Sequence, residues 1–160
     1  MKVCIYGAGA IGGYLGAKLS LAGVDVSLIA RGPHMLAIQE NGLTLREEED
    51  EINVRLPCSE NPEDFSVQDY VILAVKSHAA PIIAPKLLPL LGPSTAVVTA
   101  VNGVPWWYFY KHGGPFDGRR VEILDPAGVQ WDHIGPERVI GCVVYPAAEV
   151  VEPGVIQHVA

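Results

Sequence analysis

Charge is scarce in this sequence, and what there is leans acidic. Only 18% of the 160 residues are charged, and 18 acidic against 11 basic side chains leave a formal net charge of −7. No basic stripe occurs anywhere, which argues against a nucleic-acid-binding protein. Long hydrophobic runs are missing as well. None approaches the ~18 residues that span a bilayer, and the first residues lack the charged-then-apolar layout of a secretion signal. No membrane partner is expected, and the compartment reads as cytoplasm. Cysteine is sparse: Cys4, Cys58 and Cys142 are odd in number and share no metal-type spacing. Cys4 and Cys142 lie in apolar runs and are expected in the core. The five histidines, at 34, 78, 112, 133 and 158, never pair at helical or alternating spacing, so no metal site is expected. Neither a GxSxG nor a Cys–His signature suggests covalent catalysis. Internal repeats and low-complexity segments are also lacking.

What remains is apolar: 49% of the residues are hydrophobic, enough for one well-packed α/β domain. Its most informative stretch is the beginning. Lys2 to Tyr6 is a short apolar run, followed by Gly7-Ala8-Gly9-Ala10-Ile11-Gly12 and then a helical pattern. Gly7 permits a tight strand-to-helix turn, Gly9 lets a pyrophosphate approach the backbone, and Gly12 lets the helix lie close to the strand. The N–H groups at the helix start would face the phosphates. Gly12, Gly16 and Ser20 recur every fourth residue as a small-residue face.

Asp25 to Ala30 reads as the second strand. Folds that prefer NAD carry Asp or Glu at its end, to hold the ribose 2′-hydroxyl. Here the order is Ala30-Arg31-Gly32. A guanidinium without a local carboxylate suits a 2′-phosphate, so the cofactor is read as NADP(H); the alternative is a solvated arginine. Pro33 to Asn41 suits a helix, and Leu43–Arg46 with Ile52–Leu56 a hairpin around a long acidic tip, Glu47 to Glu51. Tyr70 to Val75 is a buried parallel strand ending in Lys76-Ser77-His78, at the edge where open sheets bind ligands. A helix over 79–91 should be kinked or broken by Pro81, Pro85 and Pro89. Ala96 to Val101 is another buried strand, ending in Asn102-Gly103.

Trp106-Trp107-Tyr108-Phe109-Tyr110 could line a substrate pocket, face a second domain or cap this domain's core. Val121–Leu124 and Val129–Trp131 suggest a small hairpin. Val139–Tyr145 and Gly154–Val159 read as strands. The fold class is therefore α/β, a Rossmann-type, doubly wound and mostly parallel sheet with small hairpin insertions, over residues 1–160.

Taken together, Gly7–Gly12, Arg31, Val75-Lys76-Ser77, Val101-Asn102-Gly103-Val104 and Glu149-Val150-Val151-Glu152-Pro153-Gly154 resemble the ketopantoate reductases, or 2-dehydropantoate 2-reductases. The resemblance implies an NADPH-dependent enzyme of pantothenate biosynthesis that reduces a small 2-keto acid, ketopantoate, to pantoate. It implies cofactor contacts at Gly7, Ala8, Gly9, Ala10, Ile11, Gly12, Arg31 and Lys76. Asn102 would touch both nicotinamide and substrate, and Ala148 would line the cofactor site, with Pro146 or Ala147 as alternatives. The family's proton-donating lysine lies in a helical second domain, which the matched motifs do not include. The chain is thus expected to be a piece of a two-domain enzyme: a truncated product, a proteolytic fragment or a chain interrupted in its gene. No catalytic residue is assigned within it. It is expected to bind NADPH without turning over ketopantoate, and to self-associate through bared apolar surface, Trp106 and Trp107 included. Two further readings stay open: a dinucleotide-sensing module without catalysis, and a reductase of another branched 2-keto acid.

Overall fold

The computed structural model describes residues 1–159. Its organising element is a six-stranded, wholly parallel sheet: β1 (Lys2–Tyr6), β2 (Asp25–Ile29), β5 (Cys58–Ser59), β6 (Tyr70–Leu73), β7 (Ala96–Thr99) and β8 (Val139–Gly141), ordered β5-β2-β1-β6-β7-β8. In order of appearance within the sheet this is 3-2-1-4-5-6, the doubly wound dinucleotide-binding order, whose direction reverses between β1 and β6. The alternation of β1 divides the core. Val3 and Ile5 pack on one face, and Cys4 and Tyr6 on the other.

Helix α1 (Ala10–Leu21) covers the first of these faces. Its small residues have two jobs. A Cβ at Gly16 would meet Leu28 Cδ2 at 2.9 Å, and one at Gly13 would meet Ile156 Cγ1 at 2.8 Å. The helix therefore lies between two sheets. The second is four-stranded, ordered β4-β3-β10-β9, from β3 (Leu43–Glu47), β4 (Asp50–Val54), β9 (Ala148–Glu152) and β10 (Val155–His158). Leu43, Leu45 and Ile156 are fully buried beneath α1. Lys18 of α1 pairs with Glu47 of β3, and His158 Nδ1 lies 3.2 Å from the same carboxylate. Helix α2 (Gly32–Asn41) links the two sheets in sequence.

On the opposite face the chain between β6 and β7 is broken as its prolines require: a 3-10 turn Ser77–Ala79, helix α3 (Ala80–Ile83) and a 3-10 stretch Ala84–Leu90. Among the described residues no helix is long and apolar enough to cross a membrane, and no cluster of three potential metal ligands occurs.

Several expectations need correction. The acidic tip is a tight two-residue turn, because Glu47 pairs directly with Asp50 and Glu48 adopts a positive φ of 50°. Val121–Trp131 forms no hairpin. Asp125, 1% exposed, accepts hydrogen bonds from the backbone N–H groups of Gln130 (2.7 Å) and Trp131 (2.9 Å), which holds Val129–His133 as helix α4. Strand β8 ends at Gly141, so Cys142 is only half-buried, whereas Cys4 and Cys58 are buried. Trp106 is 6% exposed, against Trp131 at 6.0 Å between ring centroids, and serves this domain's core. Trp107 is half-buried, and the exposed apolar side chains include Tyr108 of the same run together with Ile123, Val143 and Tyr145.

Candidate functional site

A cavity of about 990 Å³ opens at the carboxyl ends of β1, β2, β6 and β7, where the strand order reverses. Eight of the sequence-selected residues line it together: Gly7, Ala8, Gly9, Ala10, Ile11, Arg31, Lys76 and Asn102.

The glycine turn is built by sterics. Gly7 sits at φ +97°, and a Cβ there would lie 2.8 Å from Ala74 O. The N–H groups of Gly7 and Ala8 both donate to Ile29 O, at 3.1 and 2.9 Å, which fixes the turn to the end of β2. At Gly9 an added Cβ would find no atom within 4 Å, so the space above it is open. Helix α1 starts immediately afterwards, with no side-chain cap and no acidic residue in its first turn. Its first N–H groups have no partner within the helix, and the positive end of the helix dipole faces the cavity. Gly12 does not line the cavity. A Cβ there would stand 2.1 Å from Gly7 O, so its role is the close approach of α1 to β1.

Arg31 precedes α2 as its N-cap residue and is exposed. Lys76 follows β6, where its carbonyl accepts from Ala79 N–H at 2.9 Å, and Asn102 follows β7 ahead of Gly103 at φ +105°. Among the described residues none of these three side chains has a hydrogen-bond or ion-pair partner, so their polar ends are available to a ligand. With Lys86 they give the cavity three cationic side chains against one carboxylate, Glu60, although the chain as a whole is acidic. Such local excess favours an anionic ligand. A smaller cavity of about 190 Å³ adjoins it, sharing Ser77, Val101 and Asn102 and reaching back to Trp106 and Trp107.

Ala148 lies apart from the cavity. It belongs to β9, pairs with His158 and packs on the core beneath α1, and its segment reaches the cavity through Val144 and Val150 instead.

Among the lining residues that a reading of the sequence does not select, two polar ones sit beside the glycine turn and the end of β2. His34 Nδ1 faces the Gly154 N–H at 3.0 Å, a donor only, so that nitrogen accepts. The ring proton then sits on Nε2 and is donated to Ala8 O at 2.8 Å. His34 thereby ties the glycine turn to the turn between β9 and β10. The other is Glu60, which follows β5, a strand too short for any alternating pattern to reveal. Burial pushes the Cys4 and Cys58 thiols up to about 11, so neither is a nucleophile for this site.

The sequence matches the family model described as "Ketopantoate reductase PanE/ApbA" over residues 3–160. It is 53% identical over 160 residues to a 2-dehydropantoate 2-reductase of Mesorhizobium japonicum, covering 99% of this chain and 49% of that protein. A 2-dehydropantoate 2-reductase of Pyrococcus abyssi is 33% identical over 158 residues, covering 98% and 44%. The chain thus spans about half the length of the curated relatives it matches. Among solved structures, one from Ralstonia solanacearum MolK2, provisionally described as a ketopantoate reductase, superposes with a TM-score of 0.92 at 42% identity, over 99% of this chain and 49% of that one. A PanE/ApbA family ketopantoate reductase from Ralstonia eutropha JMP134 gives 0.78 at 33% identity, over 99% and 46%.

Proposed function

The chain belongs to the ketopantoate reductase PanE/ApbA family, and we propose that it is the NADPH-binding half of an oxidoreductase that reduces ketopantoate to pantoate. The observation that carries this reading is the open space over Gly9 at an uncapped helix N-terminus, in a cleft richer in cations than in carboxylates. The residues present fit a phosphorylated dinucleotide. The backbone from Gly7 to Ile11 would take the pyrophosphate. Arg31, at the end of β2, would pair with the 2′-phosphate of the adenosine ribose. Lys76 would hold the phosphate side of the cofactor, and Asn102 would orient the nicotinamide and the carbonyl-bearing substrate.

When bound, NADPH supplies the hydride for the reduction. The chain's own contribution is alignment and electrostatics. Asn102 sits at the mouth of both cavities and can donate and accept at once, so it can fix a carbonyl or hydroxyl against a ring amide. Val101 and Val144 line the same region and would keep water from it.

The two polar side chains report different halves of the ligand. In a protein of the relatives' full length carrying these residues, Lys76→Ala should raise the KM for NADPH. Asn102→Ala should lower kcat/KM for ketopantoate by about 10- to 100-fold, the loss of a positioned polar contact. Steady-state oxidation of NADPH with ketopantoate measures both. An Asn102 variant with unchanged kinetics would remove that residue from the site.

A further inference from the structure

Sequence places no carboxylate at the end of β2, yet the fold brings one there from another strand. Strand β5 pairs with β2 in parallel, with Leu28 beside Cys58 and Ile29 beside Ser59, and Ala30 N–H donates to Ser59 O at 3.0 Å. The register places Glu60 next to Ala30, one residue from Arg31. Both side chains are exposed and both line the large cavity. Glu60 is its only acidic residue among the described lining residues.

The turn that carries Glu60 is held firmly. Ser59 Oγ donates to the Asp64 carboxylate and accepts from Asn61 N–H at 3.0 Å, while Asn61 Oδ1 caps Pro62–Asp64 by accepting from Glu63 N–H at 3.2 Å. The Ser59, Asn61 and Asp64 side chains are thus engaged within the turn, while the Glu60 carboxylate has no hydrogen-bond or ion-pair partner among the described residues. It makes no ion pair with Arg31, so two adjacent strand ends carry one free cation and one free anion at the same cavity.

We propose that Glu60 is a specificity-determining residue for the dinucleotide, an inference that rests on the cofactor reading given above. The end of β2 is where the adenosine ribose of a dinucleotide is recognised, and a carboxylate there accepts the 2′-hydroxyl of an unphosphorylated ribose. Glu60 fills that role from the adjacent strand and at the same time repels a 2′-phosphate. Arg31 does the reverse. The chain therefore uses both NADPH and NADH, with a preference for NADPH that Glu60 holds below what Arg31 alone would give.

The test is calorimetric titration of NADPH and NADH into the wild-type chain, Glu60→Gln and Glu60→Ala, with circular dichroism to check folding. A carboxylate within several ångströms of a phosphate dianion at a solvated edge weakens its binding by about 3- to 10-fold. Both variants should tighten NADPH by that factor, and Glu60→Ala should also weaken NADH. The gain for NADPH should shrink at about 1 M salt, where the screening length is ~3 Å. If both variants leave the NADH-to-NADPH affinity ratio within about two-fold of the wild type, Glu60 has no part in the choice. Wild type binding neither dinucleotide would overturn the cofactor reading as well, whereas wild type binding NADPH with an unmoved ratio would overturn this inference alone.

Discussion

At the scale of single residues, the three glycines of the first turn do different work, and substitution separates them. Gly9 faces open space and has an ordinary φ of −75°, so Gly9→Val should fold normally and lose dinucleotide binding, because the branched side chain occupies the phosphate position. Gly12 has a backbone oxygen 2.1 Å from where its Cβ would be. Gly12→Ala should therefore destabilise the fold by about 1–3 kcal/mol or more, since a helix and a strand must separate. Thermal unfolding paired with NADPH titration distinguishes the two, and an unstable Gly9 variant with a stable Gly12 variant would reverse the assignment. The thiols offer a second test. Cys4 and Cys58 are buried and remain protonated up to about pH 11 in the fold, against 9.0 for an ordinary thiol. Their stabilising contribution is complete below pH 9 and is lost as pH rises toward 11, because the unfolded thiols ionise first. At about pH 8 a disulfide-exchange reagent should modify one thiol per folded chain, that of half-buried Cys142. Rapid modification of all three would show the core to be open.

At the scale of elements, what the sequence makes legible is whatever repeats within a few residues. Tyr70–Leu73 and Ala96–Thr99 are nearly continuous apolar runs, buried on one face and half-buried on the other apart from exposed Tyr70, and the prolines at 81, 85 and 89 announce the broken segment that follows the first of them. Strand β5 is two residues long and exists only because Leu28 N–H donates to Pro57 O and Ala30 N–H to Ser59 O, contacts across some thirty residues. Strand β9 is nearly all exposed, so Ala148–Glu152 shows no burial pattern to read. The apparent hairpin at 121–131 fails for another reason. Its β-branched and aromatic residues favour strands locally, but the buried Asp125 carboxylate draws two successive backbone N–H groups into a helical turn. Asp125→Ala would leave both donors without a partner in the interior and should cost about 1–3 kcal/mol. Chemical denaturation of the variant measures it, and an unchanged midpoint would mean that α4 holds without the carboxylate.

At the scale of the whole molecule, one sheet order explains why residues far apart in sequence meet. Reversal between β1 and β6 opens a cleft between the strand ends, and the first turn, Arg31, Lys76 and Asn102 reach it from four different strands. Each of these positions is visible in the sequence, because each closes an apolar run. Their company is not, and neither are His34 and Glu60, whose roles depend on the second sheet and on β5. His34 couples the two sheets at the site itself, since a single imidazole bridges Ala8 O and Gly154 N–H. The central claim is that this cleft binds a 2′-phosphorylated dinucleotide through Arg31. Calorimetric titration of the wild-type chain and Arg31→Ala with NADPH and NADH tests it most directly. A charge-assisted pair contributes roughly 1.5–3 kcal/mol, so the variant should bind NADPH about 10- to 150-fold more weakly while NADH affinity barely changes. Equal losses for the two dinucleotides, or no binding of NADPH by the wild-type chain, would contradict the account.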